Sequence, residues 1–377
     1  MGSAGAQEKF KIDVGYIAYA KPPPPLYDLD AVPQEEGVKG AELAISENNT
    51  TGAFIGQRFD LYPEIVEPDS SPIDAARRLL DKGVRLFVAD LPAGDLVKLA
   101  DALRPQGALV FNVSAPDDRL RGPDCRSNLF HTAPSRAMLT DALAQFLLVR
   151  RWTRLLLVVG PGDRDGAYAA AVRASAKKFG LKIVAEKPWT FGPLAKARSD
   201  SVTEAEAFNF ARGVDYDVIV VADEAGDFGD YILYRTSEPK LVLGTQGLVS
   251  ASWSPVHTAW GAEQLQSRFL RFANRPMDAV DYQAWMAVRA IGDAAQNTRS
   301  ADPSSARAFF DGPDFNLANY KGLGATFRPW DQQLRQVLLL AQPRSIVGVA
   351  PQPGFLHQRT VLDTLGPDMP DTACHPS

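Results

Sequence analysis

The chain is predicted to be an α/β protein made of two doubly wound, mainly parallel sheets, and three observations predict this. Short β-rich runs alternate with amphipathic helical stretches from residue 11 onward. The alternation starts afresh near residue 154, giving two sets of elements, and a length of 377 residues is more than one ordinary core holds. After residue 250 the texture becomes helical and then closes with an alternating stretch.

The first set opens with the strand KIDVGYIAY at 11–19, followed by a loop, KPPPPLYDLDAVP, whose prolines forbid a helix. Helices are expected at 34–49, 71–82 and 93–104, and strands at 57–66, 84–90, 108–113 and 128–133. In the first helix the apolar stripe Ala41, Leu43, Ala44, Ile45 is expected to stop at Asn48 and Asn49, with a Thr-Thr-Gly turn after it. Ser70 and Ser71 before Pro72 and Asp74 are a helix start, and Gly83 a stop. A long helix at 135–152 leads to the second set, with strands at 154–159, 181–186, 216–222 and 240–244. Its helices are expected at 166–179, 203–212 and 226–236. Helices at 260–274, 281–298 and 303–310 precede an antiparallel pair within 320–342 that turns at Pro329–Asp331. The tail from 351 holds five prolines and is expected to be ordered only where something pins it.

Composition narrows the function. An apolar fraction of 45%, a charged fraction of 23% and a net charge of −5 with mixed signs give no basic tract for nucleic acid. No apolar run approaches the roughly 20 residues of a membrane span. The initial MGSAG reads as an expression scar on a mature chain. Cys125 and Cys374 suit an exported protein with one disulfide tying the tail to the first set, with two unrelated buried thiols as the alternative. The four histidines form no metal-ligating pair, and neither a G-x-S-x-G elbow nor a Walker loop occurs, so no catalytic residue, metal or catalytic cofactor is expected. GPGDRDG at 160–166 has the wrong spacing for a dinucleotide loop. The reading is a binding protein, not an enzyme.

Ligands of open α/β sheets bind beyond the carboxyl ends of the strands. That rule selects the loops at 20–27, 90–95 and 114–121 in the first set, and at 161–168, 189–191, 223–228 and 245–248 in the second. Candidate ligand contacts are Lys21, Pro92, Ser114, Ala115, Arg119, Arg164, Tyr168, Trp189, Glu224, Thr245, Gln246, Trp253 and Trp260. Lys21, Arg119 and Arg164 are assigned to carboxylates and Trp189, Trp253 and Trp260 to stacking, with Phe191 and Phe228 as further walls. Ser114, Thr245 and Gln246 are assigned to hydrogen bonds. Asp223 and Glu224 oppose an anion unless they hold the arginines, and Arg121 and Arg126 are expected on the solvated surface.

The run GAELAISENNTTGAFIGQRFDL at 40–61, with YKGLGATFRPWDQQLRQVLLLAQ at 320–342 and VDYQAWMAVRAIGDAA at 280–295, resembles type I periplasmic solute-binding proteins. This group holds the branched-chain amino-acid receptors of ABC transporters. The resemblance implies two lobes joined by three hinge crossings, near 134, 249 and 327 here. Lobe 1 would be 8–134 with 250–327, lobe 2 135–249 with 328–360, and 361–377 a C-terminal tail after a scar at 1–7. It also implies a monomer in the periplasm serving an ABC permease. In the receptors a G-P-E-G-V motif supplies a Glu for the ligand ammonium; GTQGL here places Gln246 there, and FHTAPSR places Ser135 and Arg136 where a second carboxylate is expected. An unpaired buried ammonium is strongly disfavoured, which argues against an α-amino acid. Long runs at 34–57, 125–147, 150–161, 177–189 and 280–292 further resemble the substrate-binding proteins of pyrroloquinoline quinone (PQQ)-dependent alcohol dehydrogenase systems. That likeness implies PQQ, planar and triply carboxylated, as the bound ligand, with delivery to a permease or an apo-dehydrogenase. The alternative is a small organic acid of the alcohol pathway or a branched-chain amino-acid-like solute.

Overall fold

The computed structural model describes residues 10–23, 32–190 and 208–375. The scar at 1–7, most of the Pro-rich loop, Phe191 and the start of the expected 203–212 helix lie outside them.

Strands β1 (Phe10–Tyr19), β2 (Gln57–Val66), β3 (Leu86–Asp90), β4 (Leu109–Asn112) and β5 (Leu129–His131) form one sheet in the order β2-β1-β3-β4-β5, every pair parallel. Helices α1 (Val38–Ile55), α2 (Pro72–Asp81) and α3 (Ala93–Leu103) connect its strands. Strand side chains alternate between faces, and the packing follows that period. Ile12, Val14 and Tyr16 of β1 join one core, while Ile17 and the β3 residues Phe87 and Ala89 join the core under α2 and α3. A strand buried on both faces must be almost wholly apolar, as β3 is.

The second sheet follows α4 (Arg136–Arg150). It contains β6 (Arg154–Val159), β7 (Lys182–Pro188), β8 (Val218–Ala222), β9 (Val242–Gly244) and β10 (Leu248–Ala251). Helices α5 (Asp163–Phe179) and α6 (Gly229–Ile232) belong to this part. Here too the strands split by parity: Leu155 and Leu157 pack toward α4 and α5, Leu156 and Val158 toward the opposite core with Trp189 and Phe228. Helices α7 (Ala262–Ala273), α8 (Ala279–Thr298) and α9 (Pro303–Phe310) then return to the first core. A hairpin of β11 (Thr326–Phe327) and β12 (Leu334–Arg335) leads to β13 (Leu338–Gln342) and β14 (Ser345–Ala350), which complete the order β14-β13-β10-β9-β8-β6-β7 with an antiparallel edge.

Three expectations change. The first helix does not stop at Asn48–Asn49 but runs through Thr50, Thr51 and Gly52 to Ile55, capped by Gly56 in the left-handed conformation. The asparagines that suggested an end are used in tertiary bonds. Asn48 Nδ2 donates to Val288 O at 2.9 Å, and Asn49 exchanges two bonds with the Phe59 backbone. The close approach of α1 and α8 requires glycine: a Cβ at Gly40 would meet Asp281 O at 1.9 Å, and one at Gly292 would meet Asn48 at 2.3 Å. The helix expected at 226–236 shrinks to Gly229–Ile232 because the Asp223 carboxylate takes the amides of Asp227, Phe228 and Gly229. Finally, Leu334 still packs in the first core and Leu338 in the second, so the third passage falls at 335–337, later than 327.

Candidate functional site

The three passages between the cores lie side by side and are tied by buried amides and one lysine. Gln333 Nε2 donates to His131 O and Ala133 O of the first passage (3.2 and 3.1 Å), and Gln336 Nε2 donates to Thr132 O at 2.7 Å. Lys321 Nζ bonds Ser252 O of the second passage and Gln336 Oε1 of the third, at 2.9 and 2.7 Å. Burial pushes the Lys321 ammonium well below its ordinary value. Arg121, expected on the surface, is 3% exposed and reaches Gln333 Oε1, Ala115 O, Asp117 O and Ala133 O. Burial first, against nearby carboxylates, pushes its guanidinium down to about 10.

Beyond the strand ends the charged groups are closer to solvent. At the end of β1, Lys21 Nζ sits 2.7 Å from Asp90 and 2.9 Å from Glu36. Burial works against its charge, but the two carboxylates prevail and raise it to about 12. Arg136, one residue past the Ser135 N-cap of α4, is 3% exposed and joins the sheets. Its guanidinium grips both Glu224 oxygens at 2.7 Å and lies 3.4 Å from Asp117, on the loop after β4. Arg164 Nε adds a third bond to Glu224 at 3.1 Å. The Arg164 side chain is 71% exposed, and no other partner holds it among the described residues. Tyr168 lies buried below this group; burial, then the Glu224 charge, raises its phenol.

Several of the remaining candidates already have partners within the chain. Asn112 Oδ1 takes the amides of Ser114 and Ala115 at 3.2 and 2.9 Å, which removes those amides from any ligand and leaves the Ser114 hydroxyl. Pro92 is the exposed N-cap position of α3. Arg119 pairs with Asp124 on its own loop at 2.5 Å. Thr245 Oγ1 accepts the Asp223 amide and Gln246 Nε2 donates to Asp223 O, both at 2.8 Å, so this pair braces the Asp223–Glu224 loop from behind. Trp189 is a core residue stacked on Phe228 at 4.7 Å, and Trp253 is another, stacked on Tyr282 at 4.4 Å. Trp260 is 55% exposed and lies over Gly322, where a Cβ would come within 2.8 Å of the indole. Arg126 lies near the surface, as expected, and pairs there with Asp101.

The structure therefore gathers Arg136, Glu224, Arg164, Tyr168 and Asp117, and it covers a face of Trp189 with Phe228 and a face of Trp253 with Tyr282. Sequence reasoning undervalued Arg136 and missed Gln333, Gln336 and Lys321. The polar run DQQLRQ at 331–336, set in an otherwise alternating stretch, was the available signal. The cysteines are bonded, Cys125 to Cys374, with Cα atoms 5.6 Å apart. No helix of the described residues is long and apolar enough to cross a membrane.

Comparison with known proteins agrees with this architecture. No curated protein matches the chain. Solved structures do. A periplasmic binding protein from Burkholderia mallei superposes with a TM-score of 0.68 at 13% identity, covering 97% of this chain and 98% of that one. An amino acid ABC transporter substrate-binding protein from Pseudomonas fluorescens Pf-5 gives 0.70 at 13% identity over 98% and 100%. The branched-chain amino acid transporter substrate-binding protein LivJ from Streptococcus pneumoniae, in complex with isoleucine, gives 0.65 at 15% identity over 90% and 98%. At such identities the likeness establishes the two-lobed fold. The family model described as periplasmic binding protein matches residues 31–345, most of the chain, and with the two parallel sheets and three adjoining passages it shows that the chain belongs to the periplasmic binding protein family.

Proposed function

We propose that this protein is the periplasmic solute receptor of an ABC importer, closing two lobes around a small carboxylate-bearing solute without chemical change. The lobes are 10–134 with 250–335, and 136–249 with 338–367. A ligand that touches both lobes favours the closed arrangement by its differential affinity. One observation carries the ligand class: Arg164 is anchored on Glu224 through Nε alone, beside the Arg136 bridge between the lobes. Its terminal nitrogens remain as a planar fork matched to a carboxylate. The ligand is accordingly a small organic acid or an amino-acid-like solute, the class to which the isoleucine of the Streptococcus pneumoniae relative belongs.

PQQ is the second reading, favoured by the long runs resembling receptors of PQQ-dependent dehydrogenase systems. Against it, Lys21, Arg119 and Arg136 are already paired with carboxylates, and Trp189 and Trp253 are buried in cores. A triply charged ring would find too few free cations and faces.

Calorimetric titration with leucine, short monocarboxylic acids, the matching alcohols and PQQ tests both. Carboxylates should bind and alcohols should not. Arg164→Gln should weaken the best ligand at least ten-fold, about 1.4 kcal/mol, with an unchanged melting temperature. Tightest binding by PQQ, with quenching of indole fluorescence, would transfer the case to the second reading. An uncharged best ligand that ignores Arg164→Gln would end both.

A further inference from the structure

We propose that residues 351–374 are a fourth connection between the lobes, a covalent strap that narrows the range over which they separate. The segment follows β14, the last strand of the second sheet, and lies beyond the family match, which ends at 345.

Its attachments fall on lobe 2, on the β11–β12 hairpin and on the β4–β5 loop of lobe 1. On lobe 2, Leu365 enters the core under α4 and α5. Gly366 N donates to Asp141 of α4 at 2.8 Å, and Lys178 of α5 donates to Thr364 O and Gly366 O at 3.0 and 2.9 Å. Beside the β11–β12 hairpin, Asp363 is fully buried and receives Arg328 Nε at 2.9 Å and Arg335 Nε at 2.7 Å. Arg328 Nη2 also donates to Leu365 O at 2.6 Å, so the β11–β12 hairpin holds the strap by charge and backbone together. On lobe 1, Cys374 is bonded to Cys125, both buried, and a Cβ on Gly122 would lie 3.9 Å from Ala373.

Length turns these attachments into a constraint. Eight peptide links separate Gly366 from Cys374, a reach of at most about 28 Å when fully extended. The 3-10 turn at Met369–Asp371 shortens it further. Three peptide passages alone permit rotation about their common line; a fourth tie, anchored on the β4–β5 loop, restricts that rotation. The same loop carries Asp117 and Asp118, which meet Arg136 and the Ala137 amide, so the strap ends on the segment that borders the candidate site. Nothing in this inference depends on which solute binds.

Small-angle scattering and amide exchange on the ligand-free protein test it, with two variants. Cys125→Ser/Cys374→Ser cuts the strap. A spacer of about six Gly and Ser residues between Asp371 and Thr372 slackens it while keeping both cysteines. Both should increase the radius of gyration, and both should speed exchange of the 335–337 amides by about ten-fold or more. Unchanged scattering and exchange in both variants, with only a lower melting temperature, would overturn the proposal, because the bond would then stabilise without restraining. A response confined to the serine variant overturns it too, since a limit set by strap length must relax with the spacer. If the serine variant does not fold, the spacer variant decides alone.

Discussion

Two polar clusters lie where the lobes meet, and they are finished differently. At the passages Lys321, Gln333, Gln336 and Arg328 are each at most 1% exposed, and each is bonded to backbone carbonyls or to a buried partner. Beyond the strand ends Arg164 is 71% exposed and held at a single nitrogen, while Glu224, 11% exposed, gathers two arginines. A buried donor without a partner costs about 1–3 kcal/mol, so the partners of these four side chains matter to the stability of the folded chain. The spare donors of Arg164 face water, where a ligand could recruit them. Exposure and spare donors, more than residue type, separate the cluster that joins the lobes from the one proposed to receive a solute.

The comparison can be broken first at Asp363. Asp363→Ala strands Arg328 and Arg335 in the interior and should cost about 3–5 kcal/mol, read as a lower urea midpoint. A loss under 1 kcal/mol would mean that the passage cluster is not under the constraint described. Gln333→Ala abandons Arg121 Nε and two carbonyls of the first passage; a cost of about 2–3 kcal/mol is expected. Glu224→Gln should cost less, about 1–2 kcal/mol, yet abolish solute binding by calorimetry. The reverse pattern, stability lost and binding kept, would make Glu224 a structural residue only.

Acidity sharpens the contrast. The buried Lys321 ammonium is pushed far below the ordinary lysine value, so at intermediate pH the unfolded chain carries a proton that the folded chain lacks. Stability should therefore rise with pH between the depressed value and about 10.4, and level off above it. Lys321→Met should flatten that arm of a urea-midpoint profile; parallel profiles would refute the assignment. The smallest effect belongs to Arg119, whose exposed pair with Asp124 should be worth no more than about 0.5 kcal/mol. Arg119→Ala should leave both the melting temperature and solute affinity in place.

How much of this was legible in the sequence follows from the range of the interactions. The strand at 57–66 and the helix at 303–310 are found where alternation and helical spacing put them, because those patterns are local. The tail disulfide was legible because two cysteines allow one intrachain pairing. The cleft was not, because each cation's partner comes from elsewhere in the chain. Lys21 meets Asp90 from 69 positions away, Arg136 meets Glu224 from 88, and Arg121 meets Gln333 from 212. Tryptophans at loop positions gave no warning that Phe228 and Tyr282 would cover their faces. Asn48 misled for the same reason, its side chain serving Val288 instead of ending a helix.

The bond between residues 125 and 374 has a separation of 249 and makes a closed ring of all that lies between, the whole second sheet included. A protease that cuts once anywhere inside that ring does not release a fragment. The nicked molecule keeps its full mass on a gel until a thiol is added, and its two pieces remain neighbours long enough to hold their fold together.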